Sequence, residues 1–398
     1  MPAAVIVDAI RTAGGARNGG LSGWHPVDLA AQVLAALVER NGVDPALVDD
    51  VILGCVSQIG NQAANVARNA VLAAGWPVSV PGTTVDRQCG SSQQALHFAG
   101  QGVAAGAYDL VVAGGVEVMT TNPLGSSYHA PLPGGVPFGP AMAARFAGAG
   151  GLVPQGAAAE LIAERWGLER DDLDRYAAES QARAARAAAG GRFAGETVAV
   201  AGRRWDPDRG GPVEVGRPVV ADEGIRPGTT VEQLAELKPA FLPGGRVTAG
   251  NSAQIADGAS AALVASEATA ARLGLVPRAR LHAYALAGDD PILMLTAPIA
   301  ATTTVLGRAG LTLDQIDRVE INEAFAPVVL AWAHEHHADL DRVNVNGGAI
   351  ALGHPLGASG TKLLATLLAE LERSGGRYGL LTMGGSGGLA NATVVERL

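Results

Sequence analysis

The 398-residue chain is poor in cysteine, with only Cys55 and Cys89, and it contains no apolar run of membrane-spanning length. Two cysteines cannot build a disulfide framework, so free thiols in a reducing compartment are expected. With no secretory leader evident, the expectation is a cytoplasmic protein without a membrane partner. Aromatic residues make up 4% of the chain, which excludes a core dominated by large rings. No long basic run occurs and the formal net charge is -9, which argues against nucleic acid as a partner while leaving room for a local basic patch on one phosphorylated ligand.

What is abundant is glycine, at 54 residues, within a chain that is 48% hydrophobic and 17% charged. That balance buries a sizeable core in two or three domain-sized units, with close backbone approaches and tight turns, and it suits a layered α/β architecture. The opening "AAVIVDAIRTAGG" reads as a buried strand and turn, and "HPVDLAAQVLAALVERNG" carries apolar residues at helical spacing up to Gly42. "LVERNGVDPALVDDVILGCV" has a counterpart in "VLGRAGLTLDQIDRVEINEA": a helix stops at Gly42 or Gly310, and an aliphatic strand residue, Val51 or Val319, follows nine positions on. The helices after Cys89 and after "GHPLGASG" likewise lead to "AGAYDLVVAGG" and "GGRYGLLTMGG". Two similar halves, each a mixed sheet with helices, account for this. Residues 120–250 differ in composition: Gly/Pro-rich stretches flank the helical "AAELIAERWGLERDDLDRYAAESQARAARAAAGG", whose charges read as a solvated face, and the segment reads as an inserted cap.

Four places can carry chemistry. Cys89, in "DRQCGSSQQALHFAG", sits where a strand gives way to a helix. The helix dipole and free amides there favour a thiolate, although a buried small residue is the ordinary role of a cysteine; Cys55, among apolar neighbours, keeps that ordinary role. Asn322 and Glu323 end a strand in "VEINEAFAP", His354 lies in the glycine-dense "NVNGGAIALGHPLGASG", and "LLTMGGSGG" closes a strand with a glycine loop. The histidines of "HEHH" (His334, His336, His337) have no partner at a convincing ligand spacing, so no metal is expected. No GxGxxG opens a helix after the first strand, which disfavours a dinucleotide-binding oxidoreductase.

Taken together and in this order, "DRQCGSSQQA", "VTAGNSAQIADGA", "NEAFA" and "GGAIALGHPLGASG" resemble the thiolase family over the whole chain, closest to degradative thiolases, including those that shorten steroid side chains. The resemblance implies an α/β fold of two similar halves in a five-layered αβαβα arrangement with an inserted loop domain. The implied division is residues 1–119, completed by 251–275, then 120–250, then 276–398. It also implies coenzyme A thioesters as substrate with no permanently bound cofactor, and a homodimer or homotetramer. Cys89 would attack an acyl-CoA carbonyl to form an acyl-enzyme, with His354 taking its proton or stabilising the thiolate. Asn322, through a held water, and His354 would form one oxyanion hole; the backbone amides of Cys89 and Ser386 would form the other.

One departure stands out. A thiolase ends in a motif like "TMC" before its glycines, and that cysteine moves the α-proton of acetyl-CoA. This chain reads "TMGGSGG", which places Gly384 at the lost acid/base position. Losing a general base costs roughly 10² to 10⁴ in rate, so ordinary Claisen condensation and thiolysis are in doubt, while acylation of Cys89 is not. Three outcomes follow: a substitute base such as Glu117 or a water; an acceptor that needs no α-deprotonation; or a catalytically silent acyl-CoA-binding or scaffold homologue. The resemblance further places Arg226 and Gln233 at the nucleotide end of coenzyme A, suiting a guanidinium to phosphate or adenine. It puts Ala249 and Ala253 along the pantetheine tunnel, where a serine is usual at the second position and Ser252 is its neighbour, and Gln155 near the acyl group.

Overall fold

A computed structural model describes residues 3–128 and 135–398, so part of the first Gly/Pro-rich stretch lies outside the described residues. The first half runs β1 (Ala4–Thr12), β2 (Gly15–Ala16), α1 (Pro26–Asn41), β3 (Asp50–Gly54), α2 (Val66–Ala73), β4 (Thr83–Val85), α3 (Ser91–Ala104) and β5 (Leu110–Val118). A long excursion follows, with α4 (Pro140–Phe146), α5 (Gln155–Arg165), α6 (Arg170–Ala189), β6 (Thr197–Val198), β7 (Val200–Asp206), β8 (Gly211–Val219) and α7 (Val231–Ala235). The chain then continues through β9 (Ala256–Ser266), α8 (Glu267–Leu273), β10 (Ala279–Gly288), α9 (Ala297–Ala309), β11 (Arg318–Ile321), α10 (Ala326–His336), α11 (Ala349–Leu352), α12 (Ser359–Ser374), β12 (Tyr378–Gly385) and β13 (Leu389–Arg397).

The strand order β11-β12-β13-β10-β1-β9-β5-β3-β4 contains the same four-strand unit twice: β3-β5-β9-β1 and β11-β12-β13-β10. In both units the first two strands are parallel and the next two pairings are antiparallel. The units meet through β1 and β10, which share only the pairs Val5↔Arg280 and Ile6↔Ala279. The two sequence-similar segments occupy matching places: Gly42 and Gly310 both end their helices in the left-handed conformation, with φ of 62° and 67°, and Val51 and Val319 lie on β3 and β11.

Three apolar clusters define the layers. α1 and α2 pack on the outer face of the first sheet unit, and α9 and α10 on the outer face of the second. α3 and α12 lie between the two sheets, with Leu96, Ala99, Leu364 and Leu367 meeting Ile6, Val111, Leu381 and Met383. The order is α–β–α–β–α. Because helices cover both faces, β1, β5 and β9 are buried along their whole length and read as apolar runs rather than alternating ones.

The excursion is tied to this frame by buried charge. Arg11 of β1 is fully enclosed, with Nε 2.7 Å from Glu196 and Nη1 2.7 Å from Asp222, and it stacks over Phe193. The charged helical stretch is two helices, not one. It breaks at Gly167 (φ 62°), and Glu169 and Asp172 form a reciprocal cap on α6. Arg175, Glu179 and Arg186 form the solvated face expected of it, whereas Asp174, Ser180 and Gln181 turn inward and are buried.

Candidate active site

The turn between β4 and α3 presents Cys89. Gln88, just before it, takes a left-handed backbone conformation (φ 51°), a local strain held by its N–H donating to Asp86 Oδ1 at 2.7 Å. Gly90, just after, has no room for a side chain, since a Cβ there would stand 2.7 Å from Asn391 Oδ1 of β13. The glycine therefore lets the second sheet press against the Cys89 turn. Cys89 is 4% exposed and shares its apolar cluster with Leu356, two residues from His354, and with Ile255, whose backbone bridges to His354.

His354 is also buried. Its N–H donates to Gln254 O at 3.0 Å, and its ring is gripped at both nitrogens: Nδ1 is 2.6 Å from Ser359 Oγ, and Nε2 is 3.4 Å from Asn322 Nδ2. Ser359 Oγ donates its single proton to Pro355 O at 3.1 Å, so it accepts from the ring, and the hydrogen sits on Nδ1. Nε2 is thus the basic nitrogen, beside Asn322. Burial, with Lys362 adding to it, pushes the imidazole pKa down to about 3, so the ring is neutral at physiological pH. Asn322 follows β11, with its N–H donating to Thr382 O at 3.1 Å and its Oδ1 buried without a partner among the described residues.

The expectation of a resting thiolate at Cys89 is overturned. Burial pushes this thiol up to about 12, reinforced by the charges of Glu117 and Asp86; its own N–H and the Gln155 side chain pull in the other direction without prevailing. The helix terminus loses to desolvation because α3 begins inside the molecule, where its first residues, Ser91 to Gln94, are themselves buried. Cys89 and His354 are both neutral at rest.

Glu117 does not act as a free base. Its carboxylate accepts from Val56 N (2.9 Å), Ser57 N (3.0 Å), Gly357 N (3.0 Å) and Gln62 Nε2 (2.7 Å), so both oxygens are committed to latching the loop after β3 to the loop that carries His354. Glu323 is committed in the same way, to Tyr176, Ser180, Asn344 and Ile350, and thereby fastens α6 against β11. Cys55 lies 4.0 Å from Glu117 and is fully buried, which raises its pKa strongly and fits an apolar role.

At the end of β12, Gly384 and Gly385 face opposite ways. A Cβ on Gly385 would point at the Cys89 turn, 3.2 Å from Gln88 Cβ and 3.7 Å from Cys89 N. One on Gly384 would point toward α9, 3.1 Å from Pro298 Cγ and 3.7 Å from Leu295 Cδ2. Ser386 follows, its hydroxyl 3.7 Å from Met294 Sδ. Gln155, the first residue of α5, brings its side chain within hydrogen-bonding reach of the Cys89 sulfur. Tyr128, which no sequence signal marked, stands at the same mouth: its hydroxyl is 3.4 Å from Gln88 Oε1 and within hydrogen-bonding reach of Ser386.

The residues expected along coenzyme A lie apart from this core. Arg226 and Ala249 are exposed. The Arg226 N–H donates to Gln181 Oε1 at 2.8 Å, and Gln233 caps α7 reciprocally with Thr230. Leu234, next to Gln233, shares an apolar cluster with Phe325, Met294 and Leu295, which joins this region to the centre. Ala253 is partly buried, its N–H donating to Ala324 O at 3.0 Å. Ser252 does not stand in for the serine missing at 253, since its hydroxyl donates inward to Thr248 O at 2.6 Å. At the end of α10, His336 lies 3.2 Å from Ile299 O and His334 is solvent-facing beside Glu335. No group of three or more metal-binding side chains occurs among the described residues. A cavity of about 570 Å³, lined by Trp166, Asp289, Leu293, Thr296 and His334, contains none of the candidate catalytic or coenzyme A residues.

A buried thiol at a strained turn, with a neutral tautomer-locked imidazole and an asparagine amide between two like sheet units, defines a class of acyl-transferring enzyme. Comparisons narrow the class. The N-terminal thiolase domain matches residues 4–268 and the C-terminal thiolase domain residues 275–397. The chain belongs to the thiolase family and is an acyl-CoA acyltransferase. It is similar to a steroid 3-ketoacyl-CoA thiolase, FadA6, of Mycobacterium tuberculosis, with 49% identity over 100% of this chain and 95% of that one. It is 44% identical to a beta-ketoadipyl-CoA thiolase of Acinetobacter baylyi, over the full length of both. The crystal structure of the Bacillus anthracis acetyl-CoA acetyltransferase superposes with a TM-score of 0.88 at 35% identity, covering 100% and 99% of the two chains.

Proposed function

We propose that this enzyme carries an acyl group on Cys89, taken from an acyl-CoA thioester. The observation that carries this reading is the lock on His354: with Nδ1–H spent on Ser359, the lone pair of Nε2, in only a long 3.4 Å contact with Asn322 Nδ2, is left to accept the thiol proton as sulfur attacks. Because thiol and imidazole are both neutral at rest, proton transfer belongs to the attack itself. Asn322, through a held water, and His354 form one oxyanion hole, for the thioester oxygen, and the backbone amides of Cys89 and Ser386 form the other; such donors contribute about 3 to 4 kcal/mol each. Arg226 and Gln233 receive the nucleotide end of coenzyme A, Ala249 and Ala253 flank its pantetheine arm, and Gln155 borders the acyl group. The relatives' names point to 3-ketoacyl-CoA substrates, with a bulky acyl chain favoured by the steroid-directed one. No permanently bound cofactor is needed, and the protein is read as a cytoplasmic homodimer or homotetramer.

Gly384 favours a second reading, a homologue that binds acyl-CoA without turning it over. Incubation with an acyl-CoA followed by intact-mass measurement separates the two. The first reading gives an adduct of one acyl group, abolished by Cys89→Ala; the second gives binding and no adduct.

A further inference from the structure

The side chain at position 384 is a hydrogen, yet the mouth of the Cys89 turn is not without a proton carrier. Resting on the acyl-enzyme reading above, we propose that the phenol of Tyr128 supplies the proton transfer at the substrate α-carbon that Gly384 cannot.

Three observations converge on Tyr128. It is held by two partners that belong to the site: its hydroxyl is 3.4 Å from Oε1 of the strained Gln88, and the Ser386 hydroxyl, two residues beyond Gly384, is within hydrogen-bonding reach. Gln88 is itself oriented by Asp86, which accepts its backbone N–H at 2.7 Å and lies 3.4 Å from Nε2; that leaves Oε1 free to receive the phenol. The ring is fixed edge-on against Phe138, with centroids 5.6 Å apart. Glu117 is spent on four donors, and His354 Nε2 is already assigned to the proton of Cys89. Burial, with the neighbouring Asp86 carboxylate adding to it, raises the Tyr128 pKa, so the phenol is protonated at rest and starts as a donor.

The steps balance. His354 Nε2 takes the Cys89 proton as the sulfur bonds to the C3 carbonyl carbon of a 3-ketoacyl-CoA. Collapse of that adduct breaks the C2–C3 bond and leaves the electron pair on C2, delocalised into the thioester. Tyr128 gives its proton to C2, acetyl-CoA departs, and a phenolate remains. The phenolate takes the thiol proton of an incoming coenzyme A, whose sulfur displaces Cys89 from the acyl group, and Cys89 recovers its proton from His354. In reverse, the phenolate is the base that forms the nucleophilic carbanion.

The test uses the full chain, with acetyl-CoA in D₂O to follow α-hydrogen exchange and 3-ketooctanoyl-CoA with coenzyme A to follow thiolysis. Tyr128→Phe is expected to lower both by roughly 10² to 10⁴, while a Cys89 adduct still forms from a simple acyl-CoA at the end point, since the proton of the attacking thiol goes to His354. Ser386→Ala is expected to lower both by about tenfold, as loss of one orienting hydrogen bond does. Exchange in Tyr128→Phe within threefold of the parent (~0.65 kcal/mol,) overturns the proposal. So does a parent that forms the Cys89 adduct but shows neither exchange nor thiolysis. If Tyr128→Phe does not fold, an unchanged Ser386→Ala overturns it. Absence of any Cys89 adduct in the parent instead overturns the acyl-enzyme reading on which it rests.

Discussion

Removing the Ser359 hydroxyl tests the neutral-pair chemistry directly. Ser359 accepts from His354 Nδ1 at 2.6 Å in a site with no exposed face, so Ser359→Ala leaves a buried N–H without its acceptor and frees the ring to place its hydrogen on Nε2, the wrong nitrogen. An orphaned buried donor costs about 1 to 3 kcal/mol, which corresponds to roughly 5-fold to 150-fold slower acylation if the cost falls on the transition state. The assay is quenched-flow intact mass, following appearance of the Cys89 adduct from a simple acyl-CoA across pH, with Ser359→Thr as the control that keeps the hydroxyl and should recover most of the rate. The pH axis carries a second condition. With His354 lowered to about 3 and Cys89 raised to about 12, neither group of the free enzyme titrates between, so the acylation kcat/KM should be flat from about pH 5 to 9. A Ser359→Ala enzyme that acylates within twofold of the parent (~0.4 kcal/mol,), or a parent profile that bends near the ordinary histidine value, refutes the reasoning.

Other consequences are independent of that one. Arg11→Met strips the shared cation from buried Glu196 and Asp222 and should cost about 3 to 5 kcal/mol, read as a lowered urea midpoint. Glu117→Gln sets an amide NH₂ against N–H donors now satisfied by a carboxylate; a loss of about 2 to 3 kcal/mol in urea unfolding is expected, with slower acylation as Gly357 shifts. His97, buried with Nε2 at 2.7 Å from Thr393 Oγ1, has its pKa lowered from 6.5 to about 3. The unfolded chain therefore binds the extra proton first, and this contribution to stability is whole above about pH 6.5 and is lost as pH falls toward 3, at about 1.4 kcal/mol per pH unit. His97→Gln should flatten that slope in urea midpoints taken at pH 4 to 7, and an unchanged slope removes His97 from the account. Arg226→Ala should raise KM for acyl-CoA several-fold and leave kcat unaltered, measured by initial rates.

The sequence by itself determined the large architecture, because the evidence for it is local and repeated: Gly42 and Gly310 each end a helix in a conformation that favours glycine, and Val51 and Val319 follow on equivalent strands. It also marked Cys89, Asn322 and His354, since glycine-dense turns at strand ends are where backbones come close to ligands. The sign of the thiol's pKa shift was not legible, because a helix start is visible in a string of residues whereas the burial of that start between two sheets is not. Only the tertiary structure decided that Glu117 is a latch, that Ser252 turns inward, that Gly385 and not Gly384 faces the Cys89 turn, and that Tyr128 meets Ser386. Each of these is a contact between segments tens to hundreds of residues apart, or a choice between two faces of one strand, set by packing that no local pattern encodes.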